Sequence, residues 1–314
     1  MKNGTVIAID TSNYTTSVSL MRTDGELLAN IKRPLTVKAG ERGLRQSDAV
    51  FAHVKNLPDA MNEAKEMLKG EVPVAVGVSE KPRNVSGSYM PCFLSGVAVA
   101  EGIASALGIP LFRFSHQCGH VMAAVYSSGN FSLLDSPFAA YHVSGGTTEL
   151  LSVKFDGVGF SSEIVGGTLD INAGQLIDRI GVHMGLAFPA GPYIEKLAAS
   201  YFGKVSSCGI KPKGCFVNLS GVENKAIELF EKTGDKAEVS AFVLRVVGDA
   251  LVKTGLELVS QKGNIPFVFA GGVMSNSLLK ERIRGELNAC FAEPAMSADN
   301  AVGIAALTVN ALKR

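Results

Sequence analysis

Phe138-Ala-Ala-Tyr-His-Val-Ser-Gly-Gly-Thr-Thr-Glu-Leu-Leu-Ser-Val153 is the stretch on which the fold turns. Phe138 to Val143 is apolar apart from His142, as a buried strand is. Ser144-Gly-Gly-Thr-Thr148 is too small and polar to extend that strand and makes a turn. Leu150 to Val153 returns as a second strand. The N-terminus repeats the arrangement. Val6-Ile-Ala-Ile9 is an apolar run, Asp10 to Thr16 a polar turn, Ser17 to Met21 an alternating strand, and Asp24-Gly25 a hairpin signal. Two strand–turn–strand units about half a chain apart indicate a duplicated architecture.

Around these units the spacing turns helical. Ser47 to Leu68 carries Val50, Phe51, Val54, Leu57, Met61, Ala64 and Leu68 at helical intervals, with Pro58 expected to kink or divide it. Val72 to Val78 reads as a strand, and Phe93 to Leu107 as a helix closed by Gly108 and Pro110. Leu169 to Leu186 and Val239 to Gln261 are helical zones. Pro266 to Ala270 is a strand entering Gly271-Gly272, with a helix from Asn276; Asn300 to Leu312 is a last apolar helix. Tyr201 to Gly221, rich in Gly, Lys and Cys, reads as a loop. Strands alternating with helices give an α/β fold.

With 314 residues, 46% of them hydrophobic and 19% charged, the chain can bury two domains or one large α/β unit, and disorder is excluded. The absence of Trp, with aromatics at 7%, disfavours sugar clefts and base-stacking platforms. A net charge of +1 excludes a wholly basic nucleic-acid coat protein and leaves room for a local patch. Candidates for one are Lys32, Arg33, Lys38, Arg42, Arg45, Lys81, Arg83, Lys204, Lys211 and Lys213; solvated surface is the simpler reading of such charges. Cys92, Cys118, Cys208, Cys215 and Cys290 form no CxxC pair, which points to a reducing compartment. Asp10 interrupts the first apolar run too early for a secretory leader, and Glu101 interrupts Gly96 to Phe112, so a cytoplasmic protein without a membrane span is expected.

His116-Gln-Cys-Gly-His120 is the most specific chemical feature. On a helix, residues four apart stand one above the other, so two imidazoles there can hold one divalent ion. The same spacing also suits a packed helix face. Gln117 stands where a zinc protease has its Glu, so that hydrolytic mechanism is not expected. Cys118 faces away and reads as a packed thiol. Asp299, in Ser297-Ala-Asp-Asn300, is the candidate third ligand, and an N-cap is its alternative role. Ser144 to Thr148 can cradle a phosphate on backbone amides, with Asp10-Thr-Ser12 as a partner loop. Phe269-Ala-Gly-Gly-Val-Met-Ser-Asn276 suits a base or ribose lying on the backbone; it lacks a dinucleotide fingerprint. Pro189-Ala-Gly-Pro192 turns sharply before Glu195, which can cap a helix or bind a ribose. Asp178 and Arg179 also suit an exposed polar face.

In this order the segments resemble one family, the glycoprotease-like catalytic subunit of tRNA threonylcarbamoyladenosine synthase, within the actin-like, sugar-kinase-like ATPases. Asp10-Thr-Ser12 resembles its opening motif, and His53 with Leu57-Pro58 its His-x-x-x-Leu-Pro segment. His116 and His120 match its metal histidines, Val143-Ser-Gly-Gly146 its phosphate turn, and Ala298-Asp-Asn300 its metal-aspartate segment. Ala173-Gly174 with Asp178, Pro189 to Pro192, and Gly271 to Asn276 resemble its remaining motifs. The resemblance implies two actin-like lobes with duplicated subdomains. The N-terminal lobe would be 1–135, completed by the helix 299–314, and the C-terminal lobe 136–298. It implies iron or zinc on His116, His120 and Asp299, which act in catalysis through the metal. It implies an ATP- or AMP-type nucleotide, with or without magnesium, against Val143, Ser144, Gly145, Gly146, Asp178, Gly191, Glu195 and Asn276.

The implied reaction passes a threonylcarbamoyl group from its adenylate to an adenosine of tRNA beside the anticodon. Companion synthase subunits and a homo- or heterodimer are its implied partners. The sequence departs from the family in three places. Thr147 replaces a His, Lys81 to Cys92 replaces a Gly-Pro-Gly-Leu segment, and Glu223-Asn224 replaces a Lys-Thr after Phe216 to Val222. These departures fit a divergent paralogue and keep two alternatives open: carbamoyl transfer to another acceptor, or a nucleotide-binding scaffold that partners a true synthase.

Overall fold

The computed structural model describes residues 4–36, 44–297 and 299–314. Lys38, Arg42 and Ala298 lie outside the described residues. The elements run β1 (Thr5–Ser12), β2 (Thr15–Arg22), β3 (Leu27–Pro34), α1 (Gln46–Leu68), β4 (Ala75–Lys81), α2 (Phe93–Leu107), β5 (Leu111–Ser115) and α3 (His116–Ser128). Then come β6 (Phe138–Val143), β7 (Thr148–Phe155), β8 (Phe160–Thr168), α4 (Ala173–His183), α5 (Gly191–Ala199), β9 (Phe216–Val217), α6 (Ser220–Thr233) and α7 (Lys236–Lys262). The chain closes with β10 (Phe267–Ala270), α8 (Ser277–Arg284), β11 (Ala289–Phe291), α9 (Pro294–Ser297) and α10 (Val302–Leu312).

These elements cluster into two units. The first holds the residues up to Leu134 with Phe155–Ser161 and Ala295–Arg314; the second holds Asp135–Lys154 and Ser162–Pro294. The segment 155–161, which the sequence reading assigned to the C-terminal lobe, clusters with the first unit, as does the chain from Ala295 on.

The first unit has a sheet ordered β3-β2-β1-β4-β5, with β1 antiparallel to β2 and parallel to β4. The second has β11-β10-β6-β7-β8-β9, with β6 antiparallel to β7 and parallel to β10. From the hairpin outward the two sheets share one plan, so the duplication read from Val6 and Phe138 is physical. Every residue of β1 is buried, which explains its unbroken apolar run. Side chains alternate between the faces of a strand. Accordingly Val76 and Val78 of β4 join Ile7, Ile9, Leu57 and Ala100 in the core under α1 and α2. A Cβ on Gly77, between them, would run into Thr308 of α10 instead. In the second unit α7 is the central helix, burying Val239, Val243, Val246, Val247, Ala250 and Leu251 in a core shared with Tyr141, Phe267 and Phe269.

One helix departs from expectation. α1 runs unbroken from Gln46 to Leu68 through Pro58. Its buried stripe is Ala49, His53, Leu57, Ala60 and Ala64, while Phe51 and Val54 are exposed. Pro58 and Val54 share the exposed side, where water can satisfy the carbonyl that the proline leaves without a donor.

Candidate functional site

β5 runs straight into α3, and Ser115 caps the joint, its Oγ accepting the amide of Cys118 at 3.2 Å. His116 and His120 therefore sit on the first two turns of a well-anchored helix, their rings 4.3 Å apart. Asp299 lies in the bend between α9 and α10. Its Oδ1 is 3.2 Å from His120 Nε2 and 3.6 Å from His116 Nε2. One ligand atom from each of the three lies within 4.8 Å of the others. Asp299 is not the cap of α10. The cap position is Ala301, and the neighbouring Asn300 Oδ1 accepts the amide of Val302 at 2.9 Å, which leaves the Asp299 carboxylate to the histidines. Cys118 is buried against the Phe160 carbonyl and takes no part.

Asp10 and Ser12, expected as a partner loop to the Ser144 turn, lie against this cluster. Asp10 Oδ2 is 2.8 Å from His116 Nδ1, and Ser12 Oγ donates to Asp299 Oδ2 at 3.1 Å. A buried carboxylate on the outer nitrogen of a histidine fixes the ring and aims the other nitrogen inward. The signal was legible in principle: Asp10 is an acid within a strand that is otherwise wholly buried and uncharged.

The electrostatics follow from this packing. Burial alone would depress the His116 imidazole, but the charge of Asp10 and its hydrogen bond, with Asp299 behind them, raise it to about 10. Burial would raise Asp299, yet the hydrogen bonds and charges of His116 and His120 hold it far below the usual carboxylate range. Asp10 is held low in the same way, its burial outweighed mainly by His116.

A second cluster lies in the other unit. Ser144-Gly145-Gly146-Thr147 closes on itself: the Ser144 amide donates to Thr147 O at 2.7 Å, and the Thr147 amide to Ser144 Oγ at 3.1 Å. Gly145 and Gly146 are exposed at its tip, with open space where side chains would be. Two more glycines let the surroundings close in. A Cβ on Gly174, at the start of α4, would stand 2.6 Å from the Gly145 nitrogen. One on Gly271, at φ +102°, would overlap Val143. The turn is thus a backbone surface pressed between the start of α4 and the end of β10.

The other candidates flank it. Asn276 is buried and caps α8, its Oδ1 accepting the Leu279 amide at 3.0 Å. Glu195 caps nothing on its own helix; its Oε1 accepts the Ser277 amide at 2.7 Å and ties α5 to α8. Asp178 is half-buried rather than part of an exposed face, and it accepts the Ala190 amide at 2.8 Å, shaping the turn that ends at Gly191. Arg179 beside it is exposed and pairs with Glu223 at 3.1 Å.

A sequence profile of the family described as tRNA N6-adenosine threonylcarbamoyltransferase matches residues 26–306. The chain belongs to this family. A tRNA N6-adenosine threonylcarbamoyltransferase of Streptococcus suis is 32% identical over 301 residues, covering 91% of this chain and 85% of that one. One of Thermosipho africanus is 28% identical, covering 88% and 83%. Among solved structures, full-length HypF in its phosphate- and nucleotide-bound form superposes with a TM-score of 0.62 at 12% identity, over 100% of this chain and 47% of that one. The Acidaminococcus fermentans (R)-2-hydroxyglutaryl-CoA dehydratase component A superposes at 0.57 and 14% identity, over the whole of both chains. A glucokinase of the ROK family from Streptomyces griseus superposes at 0.53 and 14% identity, over 97% of this chain and 99% of that one. These neighbours show the actin-like, sugar-kinase-like fold.

Within the threonylcarbamoyltransferase family the departures of this chain can now be located. Thr147 closes the phosphate-type turn through its backbone, so the turn does not depend on the side chain there. The Lys81–Cys92 segment is tied to the histidine helix, since Pro82 O accepts the Gln117 amide at 3.0 Å. Its far end is held by Gln46 and Thr11, which bond the Cys92 amide and carbonyl. Phe216 and Val217 form β9 beside β8, and Glu223 lies in the first turn of α6.

Proposed function

We propose that this chain transfers a threonylcarbamoyl group from threonylcarbamoyl-adenylate to the exocyclic amine of an adenosine of tRNA beside the anticodon. The observation that carries this reading is the convergence of His116, His120 and Asp299 on the scaffold of this family, with Asp10 behind His116. Two imidazole nitrogens and a carboxylate oxygen are the donor set of an open first-row metal site, and the carboxylate behind His116 is the outer partner such sites use. The residues therefore fit iron or zinc, held by His116, His120 and Asp299. When bound, the ion would polarise the carbamoyl carbonyl and anchor the donor.

The chain's own residues do the rest. Asp10 holds the proton on His116 Nδ1, so Nε2 is the nitrogen that faces inward and would give up its proton to an ion. Ser12 holds the second oxygen of Asp299. The amides of Gly145 and Gly146 suit the phosphate of the adenylate and the charge that gathers on it as AMP leaves. In the transfer, the N6 nitrogen bonds to the carbamoyl carbon, the carbon–oxygen bond to phosphate breaks, AMP departs with that electron pair, and the amine loses a proton. Glu195, Asn276 and Asp178 shape the wall around the nucleotide by fixing α5, α8 and the turn before Gly191.

The test is incubation of the full chain with threonylcarbamoyl-adenylate, tRNA and companion synthase subunits, followed by nucleoside mass spectrometry. The threonylcarbamoylated adenosine is the expected product; its absence beside an active control enzyme rejects the assignment. The exchanged Lys81–Cys92 segment, bonded to the helix of His116, favours transfer to another acceptor as the second reading. AMP release from the adenylate without modified tRNA selects that reading. A chain that holds no stoichiometric metal and releases no AMP is a scaffold.

Two further outcomes are expected. In the metal-free chain His116 stays protonated up to about pH 10, so an incoming ion must displace that proton. Zinc affinity, read by chelator competition, therefore rises about tenfold per pH unit between roughly pH 7 and 9; a flat profile removes His116 from the ligand set. Gly174→Ala forces a methyl against the Gly145 backbone. It weakens AMP or ATP binding by calorimetry about tenfold or more, a cost of about 1.4 kcal/mol, which is modest for backbone overpacking. Zinc content stays at the wild-type level, because that cluster belongs to the other unit.

A further inference from the structure

The loop that the sequence marks as rich in Gly, Lys and Cys builds a pocket of about 190 Å³ in the second unit, away from the phosphate-type turn in sequence and in lining. Lys211, Lys213 and Lys225 line it, with Cys208, Phe216 and Gly221 among the rest, and no carboxylate is in the lining. The fold makes it deliberately. Gly214, at φ +58°, turns the chain so that Lys213 and Phe216 bridge, which sets Lys211 and Lys213 opposite the first turns of α6. Lys225 comes from α6 itself, and its ammonium donates to Cys208 Sγ at 3.4 Å.

The nearby acids are committed elsewhere. Asp170 accepts the amides of Leu219 and Ser220 at 2.8 and 3.0 Å, which caps the start of α6. Glu223 pairs with Arg179. All three lysines are exposed, and none of them has a carboxylate partner among the ion pairs of the described residues. Three like charges around one concavity repel each other unless an anion sits among them. A chain with a net charge of +1 has no general excess of cations to scatter here.

We propose that this pocket is a docking site for backbone phosphates of RNA, gripping the tRNA through its phosphodiester chain. The inference rests on the tRNA reading above. A phosphodiester backbone is a flexible row of anions that ammonium groups hold without reading bases, so the pocket contributes affinity and register rather than sequence choice.

The experiment measures binding of tRNA to the full chain, with its companion subunits, by fluorescence anisotropy across a salt series. The triple variant Lys211→Gln, Lys213→Gln, Lys225→Gln is expected to bind at least about tenfold more weakly and to lower the slope of log affinity against log salt by about 2 to 3. Arginine at the same three positions keeps binding within about twofold, which shows that charge, not a fold defect, is read. A control triple, Lys232→Gln, Lys236→Gln and Lys262→Gln, changes binding less than about twofold. Equal losses in both glutamine triples overturn the proposal in favour of a diffuse field. Unchanged tRNA binding with reduced orthophosphate binding also overturns it, and identifies a small-anion pocket. Failure here leaves the modified nucleoside in the transfer assay intact. Failure of the tRNA reading removes that nucleoside from the wild-type chain as well.

Discussion

On the proposed function, Asp299→Asn is expected to lower threonylcarbamoyl transfer by about 10²- to 10³-fold, and the purified variant to carry less than about a tenth of the wild-type metal. The substitution keeps the shape and removes the charge. Asn300 still accepts the Val302 amide, so the first amide of α10 keeps its partner. Two imidazoles then face a neutral amide, the donor set loses its one anionic member, and an ion held there would have two strong ligands instead of three. In the metal-free chain the same change removes the charge that helps hold His116 protonated and leaves that task to Asp10. A graded series separates this from general damage. Asp10→Asn removes the charge behind the outer nitrogen of His116, at a carboxylate that also accepts the Ser12 amide at 2.9 Å, and is expected to reduce metal affinity about 10- to 100-fold, the range expected of an outer partner. Ser12→Ala removes one hydrogen bond to Asp299 and costs less still. The order Asp299, Asp10, Ser12 in metal content by elemental analysis is the result to look for. Full metal and full activity in Asp299→Asn would place the chemistry elsewhere.

That series also marks how far the sequence could be read. His116 and His120 were legible because helical spacing is a local property, and a four-residue interval has one geometric meaning. The duplicated hairpins were legible because burial on both faces writes an unbroken apolar run. Asp10 was readable as an unusual residue and unreadable as a partner of His116, since the two are 106 positions apart and only the parallel pairing of β1, β4 and β5 brings them together. Asp299 carried two meanings, ligand and helix cap, and the helix start decided between them, since the cap position of α10 falls at Ala301. In α1 the apolar residues at helical spacing wrap more than one face, and the buried stripe runs through His53, whose Nδ1 lies 2.8 Å from Thr16 Oγ1, and leaves the larger Phe51 exposed. Glu195 and Asp178 show the same limit, because a carboxylate near a turn says nothing about which amide it will meet.

The glycines carried the least visible information, and one of them leads to the second large effect. Gly303→Ala is expected to strip the metal site while the chain remains folded. α10 lies against α3 with no side chain between the backbones at this point: a Cβ on Gly303 would overlap Gly119 O and stand 2.7 Å from Ala123 N. Neither atom can swing away, because both belong to the helix that carries His116 and His120. The two helices must separate instead, at a cost of about 1–3 kcal/mol or more. Asp299 sits four residues before Gly303, so the same separation draws it off the histidines. Metal bonds tolerate only about 0.2 Å of misplacement, whereas the fold as a whole tolerates far more. Metal content therefore falls to near zero while the melting temperature drops by roughly 2–12 °C. Two comparisons make the argument specific. Gly119→Ala presses most closely on the Ile304 side chain, at 2.9 and 3.2 Å, which can shift, so it is expected to retain most of the metal. Gly77→Ala meets the Thr308 side chain further along α10 and destabilises the chain without touching α3. If Gly303→Ala and Gly77→Ala lose metal in proportion to lost stability, the contact is packing alone; if Gly303→Ala loses it out of proportion, this contact sets the distance between the histidines and their carboxylate.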